Sequence, residues 1–107
     1  MPGFDTMQLE CESGLTVDSP IETDLSRIEG EEFAILSKDD GTYIQCAEDT
    51  ESPQEYVLEY QNGSLDEHYQ AVDSRISLER VLDAFKKYLN NDDSWLNDFQ
   101  WERMDLT

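Results

Sequence analysis

Three side chains of this sequence could support nucleophilic catalysis: those of His68, Cys11 and Cys46. A histidine base needs a nucleophile within hydrogen-bond reach. Neither cysteine lies in a local signature of a thiol enzyme, and the many surrounding acidic residues disfavour the reactive thiolate. We therefore interpret His68 as a residue on a half-exposed strand face and the two cysteines as free, buried or half-buried thiols.

Carboxylates are the most abundant reactive groups in this chain, so two of them close together do not by themselves indicate a catalytic site. The chain has 26 Asp and Glu against seven Lys and Arg, which gives a formal net charge of −19 over 107 residues. Pairs of carboxylates suited to acid–base catalysis would arise by chance at this density. We interpret them as a solvated surface and assign no catalytic residue.

Two oxygen-rich segments are candidate cation sites: Asp39-Asp40-Gly41 and Asn91-Asp92-Asp93-Ser94. A calcium loop of the EF-hand type needs alternating oxygen ligands, a central Gly and a terminal Glu at fixed spacing, and neither segment has them. One histidine and two distant cysteines do not make a zinc site. The phosphate-binding and dinucleotide-binding glycine motifs are also missing. The sequence therefore predicts no metal and no cofactor.

The net charge itself indicates binding or solvation. Repulsion among the acids opposes compaction, so a basic partner, a bound cation, a high-salt habitat or disorder should accompany it. Eleven aromatic residues favour a folded domain. Residues 1–67 hold eighteen acids and two bases, whereas residues 68–107 hold eight acids and five bases. This sign of charge opposes direct nucleic-acid binding and favours a basic protein partner.

Acids in the predicted turns and at the sheet edge are the expected partner-binding residues, together with one strand tyrosine. Turns lie at the protein surface, and tyrosine is a preferred anchor of protein interfaces. The predicted set is Asp39, Asp40, Glu48, Asp49, Glu51, Tyr60, Asp66 and Glu67.

Hydrophobic periodicity places these residues on an antiparallel sheet. The Asp40-Gly41 and Asn62-Gly63 pairs predict tight hairpin turns, and residues 48–54 predict a loop. Residues 1–19 indicate either an edge strand or a frayed, partly disordered segment. The predicted strands are 32–37, 42–47, 55–61, 64–72 and 99–104.

Two segments predict helices. Ser19 is the expected cap of a short helix that buries Ile21, Leu25 and Ile28. Ser77 is the expected start of a longer amphipathic helix that ends at Asn90. The expected fold is a single α+β domain over residues 1–107. It is a two-layer sandwich in which one long helix covers an antiparallel sheet of about five strands, with a short N-terminal helix.

The second half of the chain, from Glu59 to Leu106, has a recognisable layout. It contains a strand, the Asn62-Gly63 turn, a second strand, and a capped helix with Ala84-Phe85 and Tyr88, followed by Trp95 and Phe99-x-Trp101-Glu102. This layout resembles the C-terminal part of small acidic immunity proteins encoded beside bacterial polymorphic or contact-dependent toxins. The resemblance implies an inhibitor of a toxin and carries over no individual functional residue.

The expected function is that of a non-enzymatic, cytoplasmic binding protein that holds a basic partner. Its most concrete form is an immunity protein that neutralises a basic toxin such as a nuclease. The N-terminal segment lacks the features of a signal peptide, and no apolar run reaches the length of a membrane span. The alternative is an acidic housekeeping or structural module whose charge reflects a high-salt habitat. The partner's identity and the oligomeric state stay open.

Overall fold

The computed structural model describes residues 7–39, 41–49, 52–73 and 75–104. Within these ranges the chain forms eight strands, one α-helix and three 3₁₀ helices. The α-helix, α1, spans Leu78–Leu89, and the 3₁₀ helices span Glu22–Ile28, Leu65–Glu67 and Asp93–Asn97. The strands are β1 (Gln8–Cys11), β2 (Thr16–Asp18), β3 (Phe33–Asp39), β4 (Thr42–Asp49), β5 (Ser52–Asn62), β6 (His68–Ala71), β7 (Ile76–Ser77) and β8 (Trp101–Arg103).

All eight strands belong to one sheet. Seven of them follow the order β2-β1-β3-β4-β5-β6-β8, and β7 pairs with β5 outside this order. Each described pairing is antiparallel. The long strand β5 organises this sheet. It pairs with β4 along one side, and its other side pairs with β7 at Glu55 and Tyr56 and with β6 further along, from Glu59 to Gln61. The two short strands therefore share one side of β5.

The hydrophobic core lies between one face of the sheet and α1. Period-two alternation directs Leu36, Ile44 and Leu58 to this face, and all three are fully buried. The helix contributes a stripe at helical spacing that includes Val81 and Phe85, also fully buried. The 3₁₀ helix Glu22–Ile28 packs beside α1. The sheet consequently has one face covered by helices and one face without such a cover.

The predicted fold class is wrong in its proportions. The structure is dominated by an eight-stranded sheet, whereas we expected about five strands under one long helix in a two-layer sandwich. Residues 8–18 add the hairpin β1–β2, and β1 lies inside the sheet between β2 and β3 instead of forming its edge. The two-residue strand β7 was also not expected, because it is too short to show a period.

The predicted N-terminal helix is a 3₁₀ helix with a different start. Ser19 has φ 56° and does not cap it. The cap position is Ile21, whose N–H donates to the Asp24 carboxylate at 2.9 Å. Leu25 and Ile28 are buried as expected, but Ile21 is 63% exposed. The tighter 3₁₀ winding explains this loss of a common face, because residues four apart no longer align.

Four further features of the fold bear on the sequence predictions. The β3–β4 hairpin is confirmed, and Ser77 caps α1 by accepting a hydrogen bond from the Arg80 N–H at 3.3 Å. The segment 64–72 is wrong as one returning strand, because the 3₁₀ helix Leu65–Glu67 interrupts it before β6. The predicted loop 48–54 is much shorter, because β4 runs to Asp49 and β5 begins at Ser52.

Gly41 joins two connections at one end of the sheet. Its carbonyl oxygen accepts a hydrogen bond from the Gly63 N–H at 2.9 Å. A Cβ on Gly41 would lie 2.6 Å from the Gly63 carbonyl oxygen, which is a backbone atom and cannot rotate away. The close approach therefore requires glycine. It holds the β3–β4 turn against the segment that leads to β6.

Candidate partner-binding surface

The sheet face opposite α1 is the surface with the most distinctive chemistry. Alternation directs Ile35, Gln45 and Glu59 to this side, because their chain neighbours are buried beneath α1. We call this surface the open face. Its members on β3 to β6 are Phe33, Ile35, Ser37, Tyr43, Gln45, Ala47, Glu55, Val57, Glu59, Gln61, His68 and Gln70.

One row of register partners crosses seven strands of the open face. Glu10 stands near one end of the row, Glu59 in the middle and Glu102 at the other end. Neighbouring strands are about 4.8 Å apart, so Glu10 and Glu102 are separated by about 24 Å along the row. The row therefore spreads negative charge across the sheet. In order, it consists of Thr16, Glu10, Ile35, Gln45, Glu59, Gln70 and Glu102.

A hydrogen-bond network centred on His68 stiffens one side of this face. His68 Nε2 lies 2.7 Å from Glu59 Oε1, and Nδ1 lies 3.0 Å from Gln61 Oε1. Gln61 also accepts from the Tyr43 hydroxyl at 3.2 Å and donates through Nε2 to the Gly41 carbonyl. The glutamine amide orientation follows from that last bond, since only the NH₂ group donates.

His68 has a structural role in this arrangement. His68 is only 3% exposed, so the prediction of a half-exposed strand histidine is wrong. Both ring nitrogens already face acceptors on Glu59 and Gln61, which leaves neither nitrogen available to a substrate. Burial and then the Glu59 charge raise the pKa of Tyr43 beside it. This network supports a rigid surface rather than proton transfer to a substrate.

An apolar depression lies next to the carboxylate row. Its volume is about 360 Å³, and its apolar walls come from Phe33, Ile35, Ala47 and Val57. Glu59 and Gln45 form its polar border. A second depression of about 330 Å³ continues across β1, β3 and β4 and shares Ile35 and Gln45 with the first. The open face thus offers apolar contact and negative charge side by side.

The basic residues lie mostly elsewhere, although Arg75 reaches the border of the open face, where its Nε pairs with Glu55 at 3.0 Å. None of the strand positions on the described open face is Lys or Arg. Lys38 points to the helical side, where its Nζ lies 4.7 Å from the Tyr88 ring centroid. Five other bases form ion pairs with carboxylates: Arg27–Asp24, Arg75–Glu55, Arg80–Asp73, Lys86–Glu22, and Lys87 with Asp83 and Asp98.

A larger cleft on the helical side differs in character. It has a volume of about 650 Å³ and lies between the 3₁₀ helix Glu22–Ile28 and α1. Lys86 and Lys87 line it, but each already pairs with a carboxylate at 3.4 Å or less. Six of the seven charged residues that line the cleft are in ion pairs, so most of its charge is compensated locally, and Glu79 leaves one acid in excess. We therefore favour the smaller depression on the open face.

The acids predicted from the sequence fall into two groups. Asp39, Asp66 and Glu67 lie at the end of the sheet where Gly41 meets Gly63, and all three are exposed. The second group is at the opposite end of β4, about 20 Å away by strand length, and consists of Glu48 and Asp49. Asp40 and Glu51 lie outside the described residues.

Tyr60 lies on the same side of the sheet as Glu67, because Tyr69, which stacks on Tyr60, donates its hydroxyl to the Glu67 carboxylate at 2.6 Å. It is half-buried on the helical side, where its ring stacks on Tyr69 with centroids 5.0 Å apart. Trp95 and Trp101 meet it edge-on at 5.0 and 4.7 Å. Such an aromatic cluster contributes packing energy beyond the buried area. The structure therefore gives Tyr60 a place in the packing, with Glu67 as the predicted acid that approaches it through Tyr69.

Neither cysteine is positioned for chemistry. Both are buried and free, as predicted. Ala34 lies between Cys11 and Cys46 in register, so the two are two strand spacings apart and beyond disulfide reach. Burial raises the pKa of the Cys46 thiol to about 12. In the described ranges, no three His, Cys, Asp or Glu side chains are grouped to hold a metal.

The fold and this surface define a small, sheet-dominated protein with an acidic open face. No family model matches the sequence, and the searches of curated proteins and of solved structures find no match either. No helix in the described part of the chain has both the length and the apolar character needed to cross a membrane.

Proposed function

We propose that this protein is a non-enzymatic, cytoplasmic inhibitor that binds a basic protein partner. In its most specific form it is an immunity protein that neutralises a basic toxin such as a nuclease. One observation supports the proposal above all. Five of the bases are paired with acids, whereas Glu10, Glu59 and Glu102 cross an open face that carries no strand Lys or Arg within the described residues.

This separation of charge has a kinetic consequence. An excess of one sign on one surface attracts a partner of opposite sign and orients it during encounter. A nuclease offers such a partner, because its cleft is built to receive phosphates. Carboxylates spread over about 24 Å at strand spacing would occupy that cleft in place of the nucleic acid. Inhibition would then follow from occupancy alone and would need no catalytic residue.

The test begins with capture of basic proteins from the source cells at low salt, followed by purification of each candidate. Association rates are then measured from low to moderate salt for four versions of the protein. These are the wild type, an open-face variant (Glu10→Lys with Glu102→Lys), a turn variant (Asp39→Lys with Asp66→Lys) and a matched helical-side control (Glu29→Lys with Glu79→Lys). All three variants change the net charge equally.

We expect the association rate of the true partner to fall at least about tenfold over this salt range, as for steered encounters. The open-face or turn variant should slow association more than the helical-side control, and stoichiometric wild-type protein should block the partner's activity. Salt-independent association, or no saturable binding by any basic protein, would overturn the proposal. The acidity would then be interpreted as an adaptation to a high-salt habitat.

A further inference from the structure

We propose that the apolar depression on the open face holds an apolar side chain of an extended basic segment of the partner. The Lys or Arg residues of that segment would lie against Glu59 and Glu10. This inference rests on the proposed function and adds to it the surface that is used and the chemistry of the segment that binds. It also assigns the specificity to Phe33, Ile35 and Val57, which are not acidic.

An exposed apolar depression is unusual on the surface of so polar a chain. Four large apolar residues are exposed in the described ranges, namely Ile21, Phe33, Leu65 and Val72. Of these, Phe33 is the one that borders the depression of about 360 Å³, which Ile35 and Val57 also line. An exposed apolar group that continues into a concave apolar surface indicates an interaction site more strongly than an isolated one does.

The charge around the depression selects the occupant. Glu59 borders it, and the Glu59 side chain is 24% exposed, so its carboxylate can still receive a cation. Gln45 and His68 both contact Glu59 Oε1, at 3.2 and 2.7 Å, and hold the group in place. A second copy of this chain would bring its own carboxylate row against the first, and like charges would repel. A cationic partner fits both the apolar and the charged part.

The spacing of the site favours an extended segment. Val57 and Glu59 are two residues apart on β5, so their side chains leave the same face about 6.7 Å apart. A partner in β conformation repeats its side chains on one face with the same spacing. An apolar residue followed two positions later by Lys or Arg therefore matches the depression and the carboxylate together. A helix presents neighbours on one face at three or four positions and fits less well.

The experiment uses the full chain, labelled with ¹⁵N, and three synthetic nonapeptides. The first is Lys-Ser-Val-Ser-Lys-Ser-Val-Ser-Lys, which alternates Lys and Val on one face when extended. The second replaces each Val with Ser and keeps the charge. The third replaces each Lys with Glu and keeps the Val. Binding is followed by amide chemical shifts at low salt, which report both the affinity and the location.

We expect the Lys–Val peptide to shift amides around Phe33, Ala47, Val57 and Glu59. Its affinity should exceed that of the Lys–Ser peptide by about tenfold, the order expected from burying one aliphatic side chain. The Glu–Val peptide should not bind. In the protein, Val57→Thr should remove most of this advantage, whereas the same change at Val72, which is 57% exposed and away from the depression, should leave it unchanged.

Equal affinity of the two Lys peptides, shifts spread over all acidic surfaces, or no binding by either would overturn this inference. Binding of the Glu–Val peptide would overturn its electrostatic part. None of these results decides the proposed function, because that is tested by capture of the partner and by the salt dependence of its association. The variant Phe33→Ser provides a second check if Val57→Thr proves unstable, since Phe33 is already partly exposed.

Discussion

Glu59 shows how a single residue can serve both the sheet and its surface. Half-burying a carboxylate is costly unless donors compensate it, and Gln45 and His68 approach the same oxygen, Oε1. These contacts are made across strands, on β4 and β6, so the residue also joins three strands on one face. Its remaining exposure keeps negative charge at the border of the apolar depression.

Cys46 leads to a prediction about pH. Burial raises the pKa of its thiol from 9.0 to about 12, so the folded state keeps the proton that the unfolded chain loses near pH 9. The stability from this group is therefore fully present below pH 9 and is lost as the pH rises toward 12. We expect the free energy of unfolding to decrease with pH over this window, as measured by urea denaturation in the presence of a reductant.

The matched control for that measurement is Cys46→Ala. This variant should be less stable than the wild type at neutral pH, because a buried side chain is shortened. Its alkaline decline should be shallower, by at most about 1.4 kcal/mol per pH unit, which is the slope for one titrating group. The buried tyrosines also have raised pKa values and remain in both proteins. Identical slopes would show that Cys46 does not contribute.

At the scale of elements, a substitution in α1 tests whether the core lies between this helix and the sheet. Phe85 is fully buried, with 0% of its surface exposed, and it packs between α1 and the sheet. We expect Phe85→Ala to lower the free energy of unfolding by about 3–5 kcal/mol, the range for emptying a buried aromatic site. Chemical denaturation with linear extrapolation gives this value.

Phe33→Ala is the control for Phe85→Ala, because it makes the same chemical change at a site that is 39% exposed. It should cost less than half as much, since part of that ring already contacts water. A loss below about 1 kcal/mol for Phe85→Ala would show that this helix face is not the core. Equal losses for the two variants would show that the open face is as well packed as the helical side.

Some elements could be predicted from the sequence because their signals are local. Period-two alternation identified β3, β4 and β5, and the Ser77 cap with its apolar stripe identified α1. The hairpin β1–β2 has strands of four and three residues, which are too short for a clear period. Its place beside β3 depends on long-range pairing, which no local pattern encodes.

The candidate site was missed for a related reason. Alternation on β5 already separates Val57, Glu59 and Gln61 from Tyr56, Leu58 and Tyr60. What it cannot show is which face the helix covers, or that His68 on β6 comes level with Gln61. The predicted acids were those in turns, because turns are exposed. An exposed sheet face was therefore not considered. The turn acids stay a prediction, and the turn variant tests them separately.

At the scale of the whole molecule, the chain is compact despite its charge. The Cα radius of gyration is 13.1 Å, close to the value of about 13 Å expected for a folded chain of this length. Ion pairs on the helical side account for part of this, because they compensate charge around α1. On the open face Arg75 pairs with Glu55, but Glu10 and Glu102 make no ion pair within the described residues, so their repulsion should remain as a cost to folding.

This remaining repulsion predicts that salt stabilises the isolated protein. The Debye length falls from about 30 Å at 0.01 M to about 10 Å at 0.1 M salt, which is shorter than the carboxylate row. We expect the melting temperature to rise over this range by several degrees, corresponding to about 1 kcal/mol for a domain of this size. Sodium chloride is the suitable salt, because sulfate also strengthens hydrophobic burial.

Two charge variants separate local repulsion from total charge. Glu10→Lys with Glu102→Lys and Glu29→Lys with Glu79→Lys change the net charge by the same amount, but only the first pair lies on the open face. If repulsion is concentrated there, the first variant should melt higher at low salt and respond less to added salt than the second. Equal responses would assign the effect to net charge alone. A melting temperature that does not change with salt in the wild type would show that the acids are already compensated where they stand.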